Sequence, residues 1–208
     1  MNSYKIFFDD FQILLISQDI ELSADKKMIF HADAPEDIEP LVYLIKKHFI
    51  KTDVIVFCYD TKATFNYFSK NFLYIKAAGG IVKNTKEEIL FIFKQNHWDL
   101  PKGKIDKGEP KRGTALREVT EECGVQKLEI IAKVSKTYHI AKLRGRYVLK
   151  KTTWYEMLCS DPENLKPEAK EGITDLKWIN PKTESKIYTG LYRNLTDLLN
   201  IYYNSPGK

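Results

Sequence analysis

Gly103-Lys-Ile-Asp-Lys-Gly-Glu-Pro-Lys-Arg-Gly-Thr-Ala-Leu-Arg-Glu-Val-Thr-Glu-Glu-Cys-Gly-Val125 is the stretch from which both fold and chemistry are read. A loop is expected over 103–111 and a helix over 112–122, with Gly124 just past its end as a left-handed cap. Glu118, Glu121 and Glu122 then stand at i, i+3 and i+4 and share one helix face. Three carboxylates stacked in this way repel one another, and a cation in front of them relieves the repulsion. Hard divalent ions such as Mg2+ take oxygen ligands and share them with substrate phosphates. The pattern therefore points to a Mg2+ site that handles a polyphosphate.

Around these glutamates, Gly103, Glu109, Arg117, Val119, Gly124 and Val125 complete a longer spacing, GX5EX7REUXEEXGU with U aliphatic. The segment resembles the Nudix box at every defined position. With residue frequencies of roughly 6%, a chance match to the seven single-residue positions in such a chain is on the order of one in a million. The resemblance implies an α/β fold, the Nudix α/β/α sandwich with a mixed sheet; the first 75 or so residues carry no such resemblance, and local patterns read them as a small α/β N-terminal domain. It implies Mg2+, with Mn2+ as a substitute, held by Glu118, Glu121, Glu122 and the carbonyl of Lys102. It implies that Arg117 orients the glutamates, with Glu109 in the same network. For the general base it leaves Glu118 and a carboxylate outside the box, Glu168 or Glu171, with Glu171 taken into the catalytic set.

Just before the box stands Trp98-Asp99-Leu100-Pro101-Lys102-Gly103-Lys104. Trp-x-x-Pro-Lys-Gly at this place resembles the dinucleoside polyphosphate hydrolases, the diphosphoinositol polyphosphate phosphohydrolases and some MutT-like enzymes. The expected function is thus Mg2+-dependent hydrolysis of a phosphoanhydride in a nucleoside polyphosphate, led by a dinucleoside polyphosphate such as diadenosine tetraphosphate. The alternatives are a pyrophosphatase for ordinary or oxidised nucleoside triphosphates, a diphosphoinositol polyphosphate or ADP-ribose hydrolase and, from another class, a ligand-sensing regulator. Lys102 and Lys104 are expected at the substrate phosphates. Lys142, Arg144 and Arg146 alternate, so an extended chain would point them to one side. Arg144 and Arg146 are expected as a phosphate clamp, and Tyr138 as a further substrate contact beside Trp98, Tyr147 and Tyr155.

Further out, composition bounds the reading. The chain has 208 residues, 43% hydrophobic and 29% charged, with a net charge of +5. These values suit a globular protein with a small polyanionic substrate and make nucleic acid a less expected partner. No apolar run approaches the about 18 residues needed to span a bilayer. Asp9 and Asp10 beside a short apolar stretch do not resemble a secretory leader. Cys58, Cys123 and Cys159 are scattered and odd in number, which suggests neither a disulfide framework nor a zinc site. A cytoplasmic setting is expected.

Two domains are expected, 1–73 and 74–208. In the first, strands are read over 4–8, 12–17 and 54–59, a helix up to 48 opening at the Asp33–Asp37 acids, and a helix over 61–70. Its expected roles are to shape the pocket or to contribute to a homodimer interface. In the second, strands are read over 74–82, 88–94, 128–138, 148–159 and 176–179. A polar loop is read over 161–171 and a closing helix over 190–203, with Leu191, Leu195, Leu198, Leu199 and Tyr202 on one face. Ala78-Gly79-Gly80 is read as a break in its strand that admits close approach of backbone or ligand.

Overall fold

The computed structural model describes residues 3–20, 22, 27–180 and 182–205. Its strands are β1 (Tyr4–Phe8), β2 (Phe11–Ser17), β3 (Met28–Ala32), β4 (Val54–Cys58), β5 (Leu73–Lys83), β6 (Ile89–Lys94), β7 (His97–Asp99), β8 (Lys102–Lys104), β9 (Gln126–Leu143), β10 (Arg146–Asp161) and β11 (Ile173–Ile179). Its α-helices are α1 (Glu39–Lys46), α2 (Thr61–Ser69), α3 (Lys111–Cys123) and α4 (Arg193–Tyr203). Contacts divide the chain into two units, residues 1–75 with 138–150, and residues 76–137 with 151–208. The outer part of the β9–β10 hairpin belongs with the first unit. Its apolar side chains are buried there, which sequence proximity alone does not foretell.

In the first unit the strand order is β9, β1, β2, β4, β3. β1 runs antiparallel to β2, while β2 and β3 both run parallel to β4. The hairpin tip joins through parallel pairing of Ile6 with Tyr138 and Phe8 with Ile140. α1 contributes Leu41, Val42 and Ile45 to a core with Ile6, Leu15, Val56, Phe68, Ile140 and Leu149. α2 starts where Asp60 accepts hydrogen bonds from the N–H groups of Lys62 and Ala63, both at 2.9 Å, the side-chain capping that a helix N-terminus favours. β3 is a strand that periodicity did not disclose. Its side chains alternate in exposure, and its pairing is with β4, some 26 residues later in the chain.

In the second unit the order is β11, β6, β5, β10, β9, with β7 on β6 and β8 on β5. α3 packs on one face through Ala115, Val119 and Cys123 against Ala78, Leu90, Tyr155 and Met157. α4 covers the other through Leu195, Leu198, Leu199 and Tyr202 against Ile81, Phe91 and Trp154. These three layers are the mixed-sheet α/β/α arrangement expected of this part. The closing helix begins at Arg193, after a short 3-10 turn over Ser185–Gly190. The Gly79-Gly80 pair does not break β5. A side chain at Gly79 would run into the Pro101 carbonyl and Lys102, so the glycine admits the neighbouring β8 backbone rather than a ligand. The three cysteines are buried and free. No helix among the described residues is long and apolar enough to cross a membrane.

Candidate active site

α3 holds the box carboxylates, and its end is set by Gly124, whose φ of 72° suits the left-handed cap and whose N–H bonds the Thr120 carbonyl at 2.8 Å. From this helix Glu118 and Glu122 turn inward, 8% and 3% exposed, while the Glu121 side chain stays largely in solvent. β8 lies alongside. Its Lys102 N–H donates to Glu122 Oε2 at 2.8 Å. At Gly103 there is room for a hydrogen only, because a Cβ would collide with the Glu118 carboxylate. The box glycine is therefore required by the closeness of the strand to α3.

Arg117 ties the site together. Its guanidinium bonds both oxygens of Glu109, Nε to Oε1 and Nη2 to Oε2, each at 2.9 Å. Nη1 reaches Glu121 Oε2 and Glu118 Oε1, also at 2.9 Å, and Nη2 donates to the Lys104 carbonyl at 3.4 Å. This bidentate fork is the geometry in which arginine binds carboxylate most strongly. The Arg117 bond, helped by Thr114 and Asp106, pulls the Glu109 carboxyl down to about 2. Arg117 itself is held charged well above its ordinary range, chiefly by Glu109.

The inner carboxylates shift the other way. Burial pushes Glu122 up to about 7, against the pull of Lys102 and Lys94. Burial also raises Glu118, opposed by Arg117 and reinforced by the negative charges of Glu121 and Glu171. The Glu171 Oε2 is held by Lys94 Nζ at 3.1 Å. The loop that carries it is tied to the end of α3. The Lys166 and Glu168 N–H groups bond the carbonyls of Cys123 and Glu122 at 2.8 and 3.2 Å. Glu168 accepts from the Lys170 N–H and so caps the turn before Glu171.

Among the described residues no three His, Cys, Asp or Glu side chains converge tightly enough to ligate one ion. Arg117 lies against both Glu118 and Glu121 and compensates part of their charge. The donor set still suits a hard cation. Glu118 and Glu122 are carboxylates whose charged forms burial disfavours, and a divalent ion would stabilise them through the oxygen ligands such ions take.

The remaining expected contacts are distributed differently. The Lys104 side chain is exposed at the end of β8. The Lys102 ammonium is bound to Asp99 and to the Leu100 carbonyl. Tyr138, Arg144 and Arg146 belong to the first unit. Tyr138 sits there in an aromatic cluster, with ring centroids 5.9 Å from Tyr4 and 4.8 Å from Phe65. The stretch 142–146 is not extended, so the expected one-sided alternation does not form. Arg144 and Gly145 both have positive φ, 47° and 80°, and make the two-residue turn of a tight hairpin, the conformation an X-Gly pair supplies. Lys142 lies over the Tyr147 ring at 5.7 Å. Lys94 and Asp99 were not singled out from sequence. Lys94 lies outside the box with no spacing signal. Asp99 falls inside the Trp-x-x-Pro-Lys-Gly motif, where it could have been read as a partner of Lys102.

A family model described as the NUDIX domain matches residues 73–196. The chain belongs to the Nudix family. It is similar to the RNA pyrophosphohydrolase of Wolbachia sp. subsp. Brugia malayi (strain TRS), 36% identical over 91 residues, 38% of this chain and 56% of that protein. It is 27% identical over 136 residues to the RNA pyrophosphohydrolase of Pelagibacter ubique (strain HTCC1062), 58% of this chain and 78% of that one. The match thus spans 56% of the first of these relatives. Among solved structures, the MutT protein from Methanosarcina mazei Go1 superposes with a TM-score of 0.52 at 19% identity, over 66% of this chain and 98% of that one. That likeness concerns the Nudix fold alone.

Proposed function

We propose that this Nudix protein is a divalent-cation-dependent hydrolase of a phosphoanhydride bond in a nucleoside polyphosphate, led by dinucleoside polyphosphates such as diadenosine tetraphosphate. The observation that carries this reading is the pair of buried carboxylates, Glu118 and Glu122, against the Lys102–Gly103 backbone. Glu118, Glu121, Glu122 and the Lys102 carbonyl would hold Mg2+ or Mn2+, the ion drawing together carboxylates that do not converge without it. Such an ion, when bound, neutralises phosphate oxygens and makes water a better nucleophile. Arg117, fixed by Glu109, sets the direction of Glu118 and Glu121. The proton from the attacking water goes to Glu118 or to Glu171, which Lys94 orients. Lys104, exposed at the end of β8, would take the substrate's phosphate charge, and Lys102 would join it on leaving Asp99.

A second reading has support of its own: the relatives named RNA pyrophosphohydrolase favour a 5′-polyphosphorylated RNA as the nucleoside polyphosphate. The test is a turnover screen with Mg2+ or Mn2+ and product identification. The panel holds diadenosine tetraphosphate, ordinary and oxidised nucleoside triphosphates, ADP-ribose, a diphosphoinositol phosphate and a 5′-triphosphorylated RNA. Preferred cleavage of diadenosine tetraphosphate to ATP and AMP, abolished by Glu122→Gln, supports the leading reading. Preferred cleavage of the RNA moves it to the second. Absence of any turnover sinks both.

A further inference from the structure

Five lysines are gathered on the second unit outside the carboxylate site. Lys76 is on β5, Lys151 on β10, and Lys133 and Lys136 on β9, three strands that neighbour one another in that order. Lys111 is the first residue of α3. Four of these side chains are exposed, and they surround the half-buried Lys151. Burial, then the charges of Lys136, Lys111, Lys76 and Lys133, pull the Lys151 ammonium below the ordinary lysine range. Like charges this close cost stability, and a partner carrying repeated negative charge offsets that cost.

The patch adjoins the box. The Lys76 carbonyl accepts from the Ile105 N–H at 3.0 Å, and the next residue, Ala77, pairs with Lys104. The Lys104 carbonyl in turn accepts from Arg117. Along α3, the seven residues from Lys111 to Glu118 rise about 10 Å. The three strands together span about another 10 Å. The patch is therefore wide enough for more than one phosphate group.

We propose that Lys76, Lys111, Lys133, Lys136 and Lys151 form a binding surface for the phosphodiester backbone of a single-stranded nucleic acid whose 5′ polyphosphate end enters the box. The inference rests on the hydrolase reading for its orientation, with the 5′ end at Glu118 and Glu122. Contacts of this kind position a strand without reading its sequence, and they weaken steeply with salt.

The test uses the full chain and a 5′-monophosphorylated single-stranded RNA, which has no anhydride to cleave. Its affinity is measured by fluorescence anisotropy over a series of salt concentrations. The triple variant Lys76→Gln, Lys133→Gln, Lys136→Gln removes three exposed charges. Lys51→Gln, Lys62→Gln, Lys70→Gln removes three exposed charges from the first unit and serves as the charge-matched control. The patch variant is expected to bind at least ten-fold more weakly, with a salt slope shallower by about 2, since each lost phosphate contact accounts for about 0.7. The control is expected to stay within about two-fold of wild type. Unchanged affinity in the patch variant, or equal loss in both variants, overturns the proposal. Turnover of the nucleotide panel by the wild-type protein tests the hydrolase reading separately. RNA binding lost only in the patch variant, with no turnover of any anhydride, would leave the surface standing and the reaction refuted.

Discussion

At Gly103 the space a methyl group would take is filled by the Glu118 carboxylate. Gly103→Ala should displace that carboxylate by about an ångström and cost on the order of 100-fold in turnover. The protein should still melt cooperatively, and steady-state kinetics beside a thermal melt would check both points. Glu109 lends itself to a pH experiment. Its carboxyl is drawn from the usual 4.5 down to about 2 in the folded protein by Arg117. A depressed carboxyl contributes stability that is present above the unfolded value and lost as pH falls towards the folded one. Wild type should therefore lose denaturant resistance between about pH 4.5 and 2 more steeply than Glu109→Gln. Urea melts at several pH values in that window would show it, and parallel slopes would refute it. The box pattern made both residues legible, because single-residue spacing is a property of the sequence. Lys94 was not legible, since its role comes from lying beside Glu171, 77 residues later in the chain.

At the scale of elements, α3 and the loop after β10 act as one unit. Gly124 ends the helix with positive φ, and a side chain there would crowd Lys166, whose N–H is bonded to the Cys123 carbonyl. Gly124→Ala should cost about 1–2 kcal/mol for the left-handed backbone of a residue with a Cβ. It should also loosen the loop that carries Glu171. Denaturant melts measure the first effect, and amide exchange at 166–171 the second. A variant as stable and as protected as wild type would refute the coupling. Helix α3 and its cap were readable from the chain because helix periodicity and glycine capping are local. β3, β7 and β8 were not, because a strand of three to five residues owes its existence to partners elsewhere: β3 to β4, β7 to β6, β8 to β5. Arg144 illustrates the same limit. Alternation implied a one-sided clamp, and the Arg144-Gly145 turn reverses the chain instead.

At the scale of the whole molecule, the two units share one chain but not one segment. Ile140 and Leu149 are fully buried in the core of the first unit, although their strands extend into the second. A protein lacking residues 1–75 should expose these side chains and aggregate. Replacing 138–150 in the truncated chain by a short Asn-Gly hairpin turn should restore solubility. Size-exclusion chromatography of both forms would decide, and a monodisperse truncated chain with an intact tip would count against this packing. The sequence by itself determined the family, the helix that carries Glu118, Glu121 and Glu122, and the glycine cap at 124, because each is written in near-neighbour spacing and backbone preference, whereas the need for glycine at 103 comes from the approach of β8 to Glu118. Only the tertiary structure decided that Glu118 and Glu122 are buried while Glu121 is not. It alone put Glu171 under the hold of Lys94, and joined the hairpin tip with Tyr138 and Arg144 to the first unit. It also gathered five lysines from three strands and a helix. All of these depend on residues far apart in the chain meeting in space, where desolvation and charge act between neighbours that no local pattern names.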